Sequence, residues 1–277
     1  RTQPILGPLA ALLLACIFFT TQTDRFLSGP NLSLVLQQVM VVGTLAIGQT
    51  LVILTGGIDL SNGMIMALSS VLTTGLFANA GMNPILAMLV GLLVCLAFGV
   101  LNGWLTTAIG LPPFIVTLGT YNIAYALVRI YTTATITTVH PSVLFFGNTF
   151  QVGSTEVTYG SVLVVILFII AWFVLRSTRA GRAIYAVGDN PEASRLAGIH
   201  TGRVLTAVYT VAAVTYGIAG ILLVARTGVG DPNAGQTGNL DSITAVVLGG
   251  TSLLGGRGLI MGTLVGALIV GVFRNGL

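Results

Sequence analysis

The sequence has 277 residues, of which 55% are hydrophobic and only 6% charged, with a mean hydropathy of +0.99 and a formal net charge of +4. Soluble domains carry roughly 25% charged residues, so the composition excludes a water-soluble globular protein and predicts an all-α polytopic membrane protein, whose apolar side chains a bilayer accepts outside the bundle as well as inside it. All eleven positive side chains are arginine, which excludes a phosphate-loop or Schiff-base lysine and with it an ATPase of the P-loop kind; no nucleic-acid partner is expected.

In chain order, apolar runs are predicted to span near 5–21, 34–54, 63–78, 84–109, 113–131, 159–175 and 204–225, with two shorter ones near 241–250 and 259–273. The chain opens at Arg1, so residues upstream are expected, and no A-x-A-like cleavage site follows the first run, which reads as a span and not a signal peptide. Cys16 and Cys95 sit alone in apolar runs without disulfide or metal-ligand spacing and read as packing residues. The stretches "NAGMNP" (79–84) and "GLPP" (110–113) are tight turns, where proline opens a helix without losing a needed donor. The spans are therefore hairpins of one domain over 1–277, and the longest polar connections are 132–158, 176–203 and 226–240. Residues 176–203 carry Arg176, Arg179, Arg182, Arg195 and Arg203, whereas 132–158 carries no arginine, so the positive-inside rule makes 176–203 cytoplasmic and, counting back six spans, the N-terminus too.

Within this apolar sequence, "LTGGIDLSNGMIMAL" (54–68) holds Asp59, the only charge between Phe26 and Val128. Its glycine break recurs in "LGGTSLLGG" (248–256), matching Gly56, Gly57 and Gly63 to Gly249, Gly250 and Gly256. Glycine-interrupted segments at corresponding places in two halves point to a transport path near the midplane, while chance similarity among small packing residues is the plainer reading. Asp59 has two compatible roles: capping the next helix, or lining a path as an intramembrane ionisable group. Asn62, Asn102, Thr117 and Asn122 are candidates for contacting a polar substrate, or else for bonding between helices.

Four blocks then carry a resemblance: "GQTLVILTGGIDLSNG" (48–63), "LNGWLTTAIGLPPFIVTLGT" (101–120), "GRAIYAVGDNPEASRLAGI" (181–199) and "ITAVVLGGTSLLGGRG" (243–258). From about Val35 onward the chain resembles the permease subunit of ribose-type bacterial ABC sugar importers, in the family that includes branched-chain amino-acid permeases. The resemblance implies a type II, vitamin B12-type fold of about 8–10 transmembrane helices with an inverted repeat, the halves falling near 30–135 and 204–277. It also implies a homodimer of permeases in the bacterial inner membrane, two ABC ATPase subunits that hold the ATP and magnesium, and a periplasmic binding protein delivering a pentose or hexose. This chain itself is expected to bind no cofactor or metal. Family members run on past the position of Leu277, so further C-terminal span is expected.

The loop 176–203 has its own physical reading. In "GDNPEASRLAGIH", Asp189 or Asn190 caps, Pro191 takes the first helical position, Glu192 opposes the positive helix end and Gly198 closes the C-terminus. The helix is too short to be stable alone and presents Ala193, Leu196 and Ala197 to a surface that would hold it, with Arg195 free to pair with acids on the rim. It matches the family's ATPase-coupling helix. A solvated basic loop is the alternative. His140 and His200 suggest no metal, and no G-x-S-x-G, H-E-x-x-H, C-x-x-C or apolar carboxylate pair suggests an enzyme. The rivals are a stand-alone transporter coupled to ions through Asp59, an ABC permease for another small solute such as a nucleoside or amino acid and, more weakly, a channel.

Overall fold

The computed structural model describes residues 5–137 and 140–276. Its apolar helices are α1 (Leu6–Gln22), α2 (Gly29–Leu54), α3 (Asn62–Ala78), α4 (Pro84–Ala108), α5 (Pro113–Tyr131), α7 (Tyr159–Ser177), α10 (Thr201–Thr227), α11 (Gly238–Leu248) and α12 (Ile260–Gly276). Among the described residues, α2, α4, α5, α7 and α10 are long and apolar enough to cross a membrane, and the other four are shorter apolar helices. These agree with the expected runs to within a few residues, because the starts are set by local chemistry. Asn83 Oδ1 accepts from Ile85 N at 2.9 Å to cap α4, Thr158 Oγ1 accepts from Ser161 N at 3.1 Å to cap α7, and proline opens α4 and α5.

Helices α2 and α10 form the centre. Their membrane-length stretches are 83% and 67% buried, against 28% for α4, α5 and α7; α4 lies on α10, α7 on α2, and α5 outside them on α3 and α4. Helix α10 packs chiefly on α4, α2 and α3, while α12 lies on α2 and α11. Small residues permit the approach: a Cβ on Gly48 of α2 would collide with Thr215 and Tyr216 of α10. Cys95 is buried, as its apolar run implied, with Sγ 3.6 Å from Ile65 O.

One end of the bundle carries structure that the sequence reading left as loop. Strand β1 (Ile136–Thr137) pairs with β4 (Val229–Gly230), tying the connection after α5 to the end of α10. Strands β2 (Thr149–Val152) and β3 (Thr155–Thr158) make a hairpin turned by Gly153, whose φ of 64° suits the first central position of a two-residue loop. A short helix, α6 (Pro141–Leu144), precedes them, with His140 Nδ1 accepting from Ser142 N at 3.2 Å.

The other end holds α8 (Arg179–Asp189) and α9 (Pro191–Leu196). Helix α8 was not anticipated, although its signal is present: Thr178 Oγ1 caps it from Gly181 N at 3.2 Å, and Gly181, Ile184, Val187 and Gly188 form a buried stripe at helical spacing. The charge bias follows the fold. Arg176, Arg179, Arg182, Arg195, Arg203 and Arg257 lie at this end with Asp189 and Glu192, whereas Arg25, Arg129, Arg226 and Arg274 at the opposite end are balanced by Asp24, Glu156, Asp231 and Asp241.

Candidate functional site

Helix α2 stops because Gly56 adopts φ 79°, letting Gly56 N bond Ile53 O at 2.9 Å and Gly57 N bond Val52 O at 3.1 Å. Helix α11 stops the same way: Gly250 has φ 85°, Gly250 N bonds Val247 O at 2.9 Å and Thr251 N bonds Val246 O at 3.2 Å. In conformation, then, Gly56 corresponds to Gly250 and Gly57 to Thr251, one residue away from the register of the sequence match. Gly249 serves packing, since a Cβ there would fall within 2.6 Å of the α12 backbone at Gly262 and Thr263. Gly63 likewise lies against the carbonyl of Gly235.

The two breaks meet each other at the arginine-rich end of the bundle. Gly256 N donates to Leu54 O at 2.9 Å, and a Cβ on Gly188, near the end of α8, would strike that same carbonyl and lie 2.7 Å from Gly256 N. Tyr185 of α8 adds a bond from its hydroxyl to Gly258 O at 2.8 Å. The ends of α2 and α8 and the α11–α12 connection thus share one junction.

From that junction the chain doubles back along α2. Asn62 Nδ2 donates to Gln49 Oε1 at 2.9 Å and is 2.8 Å from Ser242 Oγ of α11. Asp59 is 1% exposed, and its Oδ1 accepts from Ser61 N at 2.8 Å and Ser61 Oγ at 2.5 Å, an Asx turn that shapes the entry to α3. Asn102 Nδ2 of α4 donates to Ser61 Oγ at 3.1 Å, and Thr120 Oγ1 of α5 donates to Asn102 Oδ1 at 2.8 Å. Thr117 Oγ1 accepts from Leu60 N at 3.1 Å. Tyr209 and Tyr216 of α10 complete the surroundings: a Cβ on Gly57 would come within 2.6 Å of the Tyr209 hydroxyl, and the Tyr216 hydroxyl faces Asp59 without meeting strict hydrogen-bond geometry.

Asn62, Asn102 and Thr117 therefore make buried bonds between segments, the interhelical alternative weighed from sequence, while Asp59 lies among them and shapes the entry to α3 through Ser61, which itself takes the cap position of that helix. Asn122 is not among them; it is exposed on α5 and bonds its own Leu118 O at 2.9 Å. The residues that bond Asp59, Asn62 and Asn102, namely Gln49, Ser61, Thr120 and Ser242, were not singled out from sequence, nor were the neighbouring Tyr209 and Tyr216. For Ser61 the signal was its place two residues after Asp59, the spacing of an Asx turn.

Because no cation pairs with Asp59 among the described residues, its value lies in accepting from Ser61. Asp59→Asn keeps that acceptor and removes a buried charge, so thermal unfolding is expected to stay put or rise slightly. Asp59→Leu leaves the Ser61 N–H and hydroxyl, both buried, without their acceptor, at about 1–3 kcal/mol each, a larger loss than a simple cap. Thermal melts of both variants check this; Asn as damaging as Leu would show that the charge itself is required.

On the arginine-rich end, Asn190 is the cap of α9, with Oδ1 accepting from Ala193 N at 2.8 Å, while Asp189 instead ends α8. Pro191 takes the first helical position, and Gly198, with φ 86°, closes the turn as Ile199 N bonds Ser194 O at 3.0 Å. Ser194 is the residue turned inward; Ala193 and Ala197 are exposed and Leu196 is 76% exposed. Arg195 is not free, because it pairs with Glu192 at 2.7 Å, and the hydrogen bond from Arg195 holds the Glu192 carboxyl below its ordinary range.

A bundle of apolar helices with one arginine-rich end and a capped helix pair outside it defines an integral, all-α polytopic membrane protein. Residues 31–277 match the family described as the permease component of branched-chain amino acid transport systems, and the chain belongs to that family. It is 46% identical to the fructose import permease protein FrcC of Rhizobium meliloti, over all of this chain and 79% of that protein. It is 40% identical to the ribose import permease protein RbsC of Bacillus subtilis (98% and 84% covered) and 34% identical to the D-allose transport system permease protein AlsC of Escherichia coli K12 (96% and 81%). No solved structure matches it significantly.

Proposed function

We propose that the chain is the membrane-spanning subunit of an ATP-driven importer that passes a pentose or hexose across a bacterial inner membrane, with its arginine-rich end and N-terminus in the cytoplasm. The observation that carries this is Leu196, 76% exposed on a helix of six residues. Such a helix is held by caps at both ends and offers an apolar side chain to water, which suits a surface waiting for a protein partner. Leu254, 90% exposed at the same end, adds a second apolar point. The partner is an ABC ATPase, which holds the ATP and magnesium; this chain performs no catalysis and binds no cofactor. The junction of Gly188, Leu54 and Gly256 gives movement of α8 and α9 a direct route to both helix breaks.

The sugar reading rests on relatives named for fructose, ribose and allose. Recognition is assigned to a periplasmic binding protein, and the assembly to two permease copies of type II fold with inverted repeats; the like endings of α2 and α11 support the repeat. Calorimetry on the partner binding protein is expected to show tight binding of a neutral monosaccharide; tight amino-acid or nucleoside binding without sugar binding overturns the cargo. Ion-coupled transport through Asp59 is disfavoured because that carboxylate is 1% exposed and already engaged by Ser61. Co-purification with an ATPase, against proton- or sodium-driven uptake by the chain alone, separates the two.

A further inference from the structure

Helices α7 and α10 both lie on α2, yet they hardly touch each other. Between them, toward the arginine-rich end, runs a cleft of about 300 Å³. Its walls are Leu51 of α2, Val174 of α7, Ile184 of α8, and Val204, Val208 and Val211 of α10, and its one charged lining residue is Arg203. Arg203 also lines two further concavities, one with Thr107 and Thr206 and one with Arg195 and His200. It is exposed and has no ion-pair partner among the described residues, and Arg179, beside the cleft residue Ala180, is likewise exposed and unpaired. An apolar slot with unpaired guanidinium groups at its arginine-rich end has the chemistry of one ligand: an acyl chain joined to an anionic phosphate.

We infer that this cleft is a site for an anionic phospholipid of the cytoplasmic leaflet, one acyl chain lying against Val204, Val208 and Val211 and the phosphate meeting Arg203. The leaflet assignment rests on the orientation proposed above; the site itself does not. Two features select lipid over a second protein copy: the slot is lined almost wholly by aliphatic carbon, and its one charge, Arg203, stands at its arginine-rich end. A bound lipid fills the gap between α7 and α10 and joins α8 to the bundle, so the lipid stands where movement of the cytoplasmic helices enters the membrane.

The full chain, purified in mild detergent, is titrated with phosphatidylglycerol or with phosphatidylcholine of the same acyl chains, and retained lipid is counted by native mass spectrometry. Phosphatidylglycerol is expected to be favoured, and Arg203→Gln to lower that preference about fivefold while acyl-chain retention persists. Ala207→Phe, at an exposed position on the cleft wall, is expected to remove the bound lipid of either headgroup. Equal retention of the two lipids by the unaltered chain overturns the inference. So does competition by inorganic phosphate alone, which would make the site one for free phosphate, or an Ala207→Phe variant that turns a dimer into monomers with its lipid count unchanged, which would make the cleft a contact between copies.

Discussion

Leu196→Glu is expected to abolish capture of the ATPase subunit while leaving the membrane bundle folded. Leu196 is 76% exposed, so the free chain loses little, within about 0.5 kcal/mol. A partner that covers this position would instead have to bury an unpaired carboxylate, at a cost of several kcal/mol. At about 4 kcal/mol the association constant falls roughly a thousandfold. Ala197→Glu is expected to act alike, because Ala197 is exposed where α9 ends and its N–H is already used by Ala193 O at 2.9 Å. The checks are pull-down of the ATPase and ATP-driven uptake in vesicles. Either variant holding its ATPase and transporting at the normal rate would remove residues 189–199 from the mechanism.

Gly188→Ala is expected to separate binding from transport. The added methyl would land on the Leu54 carbonyl and 2.7 Å from Gly256 N, two backbone groups that are bonded to each other at 2.9 Å. Neither can rotate away as a side chain can, so α8 must lift off the junction or the bond must break, at about 1–3 kcal/mol. The surface of α9 is untouched, so the ATPase is still captured while uptake falls and the melting temperature drops. Gly119→Ala serves as the control, because a Cβ there meets nothing within 4 Å and replaces glycine in a helix, which is mildly favourable. Normal uptake by Gly188→Ala would mean that α8 does not drive the two breaks.

The apolar helices, their order and the capped helix at 191–196 were legible because each depends on neighbours a few residues away: apolar runs, proline at helix starts, asparagine at caps and glycine at ends. The same logic could have gone further on α5, where the buried residues Thr117, Thr120, Ala124 and Val128 recur every three or four positions, and five residues of helix turn Asn122 about 140° away from Thr117. Helix α8 was hidden by its arginines, which mark a loop in composition although its buried stripe has helical spacing. By itself, then, the sequence determined the class of protein, the apolar helices and the charged end. Only the tertiary structure decided that Asn62 meets Ser242 from 180 residues away, that the glycine breaks align one residue off their sequence match, and that both breaks rest on Gly188. Those outcomes depend on how far α2, α10 and α11 can approach and which polar atoms that approach shuts away from water and lipid, and no local pattern records a distance between helices.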